Sequence, residues 1–222
     1  MPAKTRVQSI DASKAFSLQG AERIEALRSQ VMGRLSAVLQ NATEQAADTY
    51  GFDVVKGSDE VVEVTESEAF AGLRPTEGDF SALRNVKHPN VLFGLSANEE
   101  AVRVVLRVIG PAEWRLFVKA LYQYREMLGE YLTDFEDLYL LNSDGEEEAI
   151  EELDQFFAVD VESAEFKKQG CVIYFPDMEY PVETQEDFDT FTGDFTALFP
   201  FYWTLLKAAR GETVDMDHLL NG

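Results

Sequence analysis

Val91–Leu92–Phe93–Gly94–Leu95 and Val102–Arg103–Val104–Val105–Leu106–Arg107–Val108 flank the short polar link Ser96–Ala101. Two β-rich runs on either side of a brief polar turn read as a β-hairpin. Arg103 and Arg107 stand four apart, so both fall on one side of the second strand. Gly110 and Pro111 end that strand, and proline suits the first turn of a following helix, where its missing N–H costs nothing. The helix expected over Ala112–Leu132 carries Trp114, Phe117, Val118, Leu121, Tyr124, Leu128 and Tyr131 on one stripe.

Outward toward the N-terminus, residues 67–89 hold Gly72, Pro75, Gly78 and Pro89 and read as a long loop, with one helical turn near Phe80–Leu83. Glu60–Thr65 is a strand by its β-branched run Val61, Val62 and Val64. Gln19–Tyr50 is one long helix, because Ile24, Leu27, Val31, Leu35, Val38, Ala42 and Ala46 recur at spacings of three and four. Gly51 is its stop signal. Residues 1–18 lack an apolar signal core and read as a flexible leader.

Toward the C-terminus, Leu138–Leu141 is a short strand and Glu146–Phe157 a helix with acids in its first turn. Val159–Phe166 and Cys171–Phe175 are expected to form a second hairpin. Thr184 with Asp187 resembles a helix start. The helix that follows is expected to run to about Leu198 and to break at Pro200 before resuming over Phe201–Ala209. Gly211 ends it, and residues 212–222 form a mobile tail. Steady β–α–β alternation is absent, so the pattern predicts α+β: an antiparallel or mixed sheet of two hairpins plus short strands, covered by three or four helices. The expected organisation is one domain over residues 19–211.

The 222 residues are 45% apolar and 12% aromatic, enough to bury a core. No apolar run reaches the roughly 20 residues of a membrane helix, so no membrane association and a cytoplasmic location are expected. The net charge of −22 is unevenly placed. Met1–Arg125 carries 15 basic and 16 acidic residues, whereas Glu126–Leu206 carries 22 acids against Lys167 and Lys168 alone. Such a field repels nucleic acid and attracts basic proteins. Adaptation to salt would acidify the whole surface, and the first 125 residues are balanced.

Catalytic signatures are scarce. Phosphate-binding glycine loops are missing, and no cofactor motif is present. His88 and His218 are far apart, which argues against a zinc site or a Ser–His–acid triad. Cys171, the single cysteine, sits in an apolar run and reads as a small buried hydrophobe. Asp144–Gly145–Glu146–Glu147–Glu148 fails the ligand spacing of an EF-hand. Glu165–Phe166–Lys167 has the acid–apolar–Lys form that metal-dependent nucleases carry on a strand, with Asp154 or Asp160 as a second ligand, but its acidic surroundings are wrong for gripping DNA.

The sequence therefore points to a non-catalytic protein that engages a basic protein partner through its C-terminal half, as a DNA mimic, an immunity- or antitoxin-type inhibitor or an accessory subunit. The alternatives are an enzyme with a dispersed site and a protein whose acidity serves solubility alone. The expected contact residues are Asp144, Glu146, Glu147, Glu148, Glu151, Glu152, Asp187 and Asp189, with Phe201 and Trp203 as aromatic anchors.

Overall fold

In the computed structural model, residues 9–76, 80, 82–83, 89–133, 138–141 and 147–213 are described. The decisive hairpin forms as expected: β3 (Val91–Ala97) pairs antiparallel with β4 (Ala101–Val108), with Phe93 opposite Leu106. The other strands add on both sides. β1 (Ser58–Val64) and β2 (Ala69–Pro75) extend the sheet beyond β3, and β7 (Cys171–Tyr174), β5 (Tyr139–Leu141) and β6 (Glu147–Ala149) extend it beyond β4. A two-residue strand, β8 (Met178–Glu179), pairs with the start of β4. Every pairing is antiparallel, and the protein is α+β.

Alternation along the strands divides the sheet into two faces. Val102, Val104, Leu106 and Val108 of β4 join Phe93, Leu95 and Ile173 in the main core. Three long helices cover this side. They are α3 (Met32–Tyr50), α4 (Pro111–Gln123) and α8 (Gln185–Arg210), with α8 packed against both of the others. Phe93 lies at the centre, its ring 4.2 Å from Phe195 and 5.0 Å from Tyr202.

The N-terminal helical stretch is continuous but not uniform. α1 (Ser13–Phe16) precedes α2 (Gly20–Ala26), and a π-helical turn at Leu27–Val31 joins α2 to α3. Gly51 closes α3 with φ of +68°, a conformation that glycine adopts without penalty. Within the stretch expected to be a loose leader, Ile10, Ala12 and Phe16 are buried, and Ile10 bridges Val182 through backbone hydrogen bonds in both directions. Isolated apolar residues among polar ones gave no periodic signal there, so the docking was hidden.

Other expectations change as well. Ala69–Pro75, expected to be loop, is the buried strand β2. Its Ala69, Ala71 and Leu73 face the core, while Gly72 stands opposite Gly94 on β3. A Cβ on Gly94 would lie 2.4 Å from Gly72 Cα, so the two strands meet without side chains at that point. The helix expected over Glu146–Phe157 is instead β6 followed by the short α6 (Asp154–Ala158). The strand expected over Val159–Phe166 is a turn leading into α7 (Ala164–Gln169), which Ser163 caps by accepting from the Phe166 N–H. The helix expected over Ala112–Leu132 divides at Tyr124 into α4 and α5 (Arg125–Thr133).

Pro200 does not break α8, which runs through it. Proline cannot donate to the carbonyl four residues back. That carbonyl belongs to Thr196, and the Tyr50 hydroxyl from α3 donates to it at 2.6 Å. The Tyr131 hydroxyl from α5 donates to the neighbouring Ala197 carbonyl at 2.7 Å. Two tyrosines from flanking helices thus satisfy the carbonyls next to the proline. Tyr50→Phe is expected to lower stability by about 1–2 kcal/mol through an unpaired buried carbonyl. Urea unfolding of the two proteins side by side checks this, and an unchanged midpoint would show that the bond adds nothing.

Candidate functional site

Two features of the surface stand out, and each is built by the strands just described. The first is the acidic segment that follows β6. Glu147, Glu148, Glu151 and Glu152 are all exposed. Gln155 organises the stretch. Its Oε1 accepts from the backbone N–H groups of Glu151 and Glu152, and its Nε2 donates to Glu148 and to the Ala149 carbonyl. On α6, Phe156 turns inward against Trp114 and Phe117, and Phe157 turns outward.

Phe157 meets Tyr122 of α4 edge to face, with ring centroids 5.7 Å apart. Both are large aromatic side chains left in solvent, 40% and 55% exposed. Arg125 lies over the Tyr122 ring and donates to its hydroxyl at 2.8 Å. Two turns back along α4, Arg115 pairs with Glu162 at 2.8 Å. These contacts bring the balanced half of the chain against the acidic half.

The remaining expected contact residues fall elsewhere. Asp187 has a structural task at the start of α8. Its Oδ2 accepts from the Glu183 and Thr184 N–H groups, which holds its carboxyl below the usual range. Asp189 accepts from Gln185 one turn away. Phe201 is buried against Tyr131 and Phe156, whereas Trp203 is half-buried beneath Lys207, stacked on Phe199 and tilted against Phe52. Asp144, Glu146, His88 and His218 lie outside the described residues. Phe157 escaped the sequence reading because a doublet of phenylalanines in an expected helix gives no sign of which ring faces water.

The second feature is the face of the sheet opposite the three long helices. Phe70, Leu92, Val105, Val172 and Tyr174 form a separate small apolar cluster there. Arg103 and Arg107 share this face, as their spacing requires. Glu68 holds Arg107 with two hydrogen bonds, at 2.5 and 3.1 Å, and also accepts from the Ser96 hydroxyl at 2.5 Å. Burial pushes the Glu68 carboxyl up, but the Arg107 and Ser96 hydrogen bonds outweigh it and hold the group below its ordinary value.

Arg103 lies 4.6 Å over the Tyr174 ring, with its Nε 2.8 Å from Asp177 and one Nη 3.6 Å from Glu147. Burial, and then the nearby Glu147, push the Tyr174 hydroxyl up, so it stays neutral under the guanidinium. Asp177 is also raised, by burial first and by Glu147 and Glu100, against the pull of Arg103. The arginines are thus fixed in place by carboxylates and rings together.

Cys171 is buried, its thiol donates weakly to the Leu141 carbonyl, and burial pushes its pKa up. Lys167 is on the helix α7, where it pairs with Glu162 at 3.2 Å, so the expected strand-borne acid–apolar–Lys arrangement does not form. Among the described residues no group of three or more His, Cys, Asp or Glu could hold a metal ion, and no helix is long and apolar enough to cross a membrane. No protein-family model matches the chain, and no curated protein matches it in sequence.

Proposed function

We propose that this chain is a non-catalytic acidic binding protein that engages a basic protein surface through its C-terminal half. The observation that carries the reading is the hydrogen-bonded segment 147–157, which joins four exposed glutamates to the exposed Tyr122–Phe157 pair. Charge-depleted aromatic anchors with a charged rim are the usual anatomy of a contact surface. The glutamates steer a basic partner into encounter, and the rings set how long it stays. Phe201 is left out of this surface because it is buried. A DNA mimic, an inhibitor of a basic toxin and an accessory subunit of a basic enzyme all fit the same physics.

The test is capture of basic proteins by the immobilised chain at low ionic strength, followed by washes of rising salt. Replacing Glu147, Glu148, Glu151 and Glu152 together by Gln is expected to slow association by about tenfold or more, with the gap closing as salt shortens the Debye length. Tyr122→Ala with Phe157→Ala is expected to speed dissociation while leaving association largely unchanged. Retention of no basic protein at low salt, or equal retention by the wild type and the quadruple variant, would overturn the proposal.

A further inference from the structure

The face of the sheet opposite the helices contains a hollow of about 360 Å³. That size falls within the range of sites that hold small molecules. Its apolar walls are Val105, Ile109, Leu141 and Val172, drawn from three adjacent strands and the residue that follows β4. Its polar walls include Arg103, Arg107 and Lys168 against one carboxylate, Glu68. Asp177 and Glu147 also reach Arg103, at 2.8 and 3.6 Å, so the hollow gathers cations and carboxylates together against its apolar walls.

The two guanidiniums are also positioned in advance. Arg107 is clamped by the fork to Glu68 and lies 5.9 Å from the Phe70 ring centroid. Arg103 is held at its Nε by Asp177 and from below by Tyr174. A guanidinium has five N–H donors, and these contacts take Nε and approach one Nη. Among the described residues, nothing accepts from the other Nη of Arg103. A cation already fixed at the edge of an apolar hollow loses little further freedom when an anion arrives.

We propose that this hollow binds a small organic carboxylate, its apolar body against Val105, Leu141 and Val172 and its carboxylate on Arg103. Glu68 and Asp177 hold the arginines in place and repel a ligand of higher negative charge, which favours a single carboxylate. Glu147 of the acidic segment reaches one Nη of Arg103 at 3.6 Å, but the proposal does not depend on the partner-binding reading.

Benzoate is a suitable probe, with benzamide as its neutral counterpart of nearly the same shape. In an amide-detected NMR titration of the full chain, benzoate is expected to give saturable shifts at Ser96, Arg103 and Val172. Its Kd is expected to be on the order of 1 mM, which suits a ligand of so few atoms. Benzamide is expected to bind at least about tenfold more weakly. Arg103→Gln is expected to remove the preference for the anion. Leu141→Trp, which leaves every charge in place and fills the hollow, is expected to abolish binding of both probes. Equal affinity for the two probes, no saturation by about 10 mM benzoate, or undiminished binding by Leu141→Trp would overturn the proposal.

Discussion

Phe93→Ala is expected to cost about 3–5 kcal/mol of folding stability, the usual range for deleting a fully buried phenylalanine. Phe93 has no solvent exposure and lies between β3 and α8, with Phe195, Tyr202 and Phe199 around it at 4.2, 5.0 and 6.2 Å. Its neighbours are large rings on a long helix and cannot collapse into the space. Tyr202 is further tied by a 2.5 Å hydrogen bond to Ser58 on β1, so that side of the cavity stays open. A domain of this kind has only about 5–15 kcal/mol of total stability, so the loss would be a large part of it. Urea unfolding followed by tryptophan fluorescence measures it. A loss under about 1 kcal/mol would show that the ring is not the centre of the core.

Glu68→Gln is expected to destabilise the fold by about 2 kcal/mol at neutral pH, because Arg107 would keep its charge while its anionic partner is lost. The side chains of Arg107 and Glu68 are only 19% and 23% exposed, so solvent screens the pair weakly. The effect has a definite pH signature. The folded-state pKa of Glu68 is lowered from its ordinary value of 4.5. Its stabilisation is therefore fully present above that ordinary value and disappears as pH falls through the lower, folded-state value. The stability gap between wild type and Glu68→Gln should shrink steadily below about pH 4.5. Arg107→Met added to Glu68→Gln should recover much of the loss, since the stranded cation is then gone. A gap that stays constant down to low pH would show that the ion pair is not its cause.

Much of the fold was legible because the strongest local signals and the tertiary structure agree. The hairpin of β3 and β4, the amphipathic α3, the Thr184–Asp187 cap and the Gly51 and Gly211 stops all lie where propensity and packing favour the same state. The misses came where they differ. Ala69–Phe70–Ala71–Gly72 has weak strand propensity and is a strand because β1 and β3 pair with it on both sides. Glu147–Glu148–Ala149 has good helix formers, yet it pairs with Tyr139–Leu141. Pro200 reads as a break, and only the fold brings Tyr50 and Tyr131 to the carbonyls beside it.

Of the candidate sites, the acidity could be read from composition, and the shared side of Arg103 and Arg107 from their spacing. The pairing of Tyr122 with Phe157 could not be, because it joins residues 35 apart through helices whose boundaries were misplaced. Nor could the hollow, which needs Glu68, Ser96 and Lys168 from three distant parts of the chain.

The two outermost described strands of the sheet are β1 and β6, and both are acidic: Asp59, Glu60 and Glu63 on one, Glu147 and Glu148 on the other. An unpaired strand edge is an adhesive surface for another copy of the same chain. Here each such edge carries carboxylates that oppose joining of two copies sheet to sheet while they are ionised. Acid near the pI of about 4.3 removes that repulsion, and the basic partner proposed above would do the same at β6. Under the proposed function, a partner that neutralised β6 without covering it would remove the barrier to joining edge to edge.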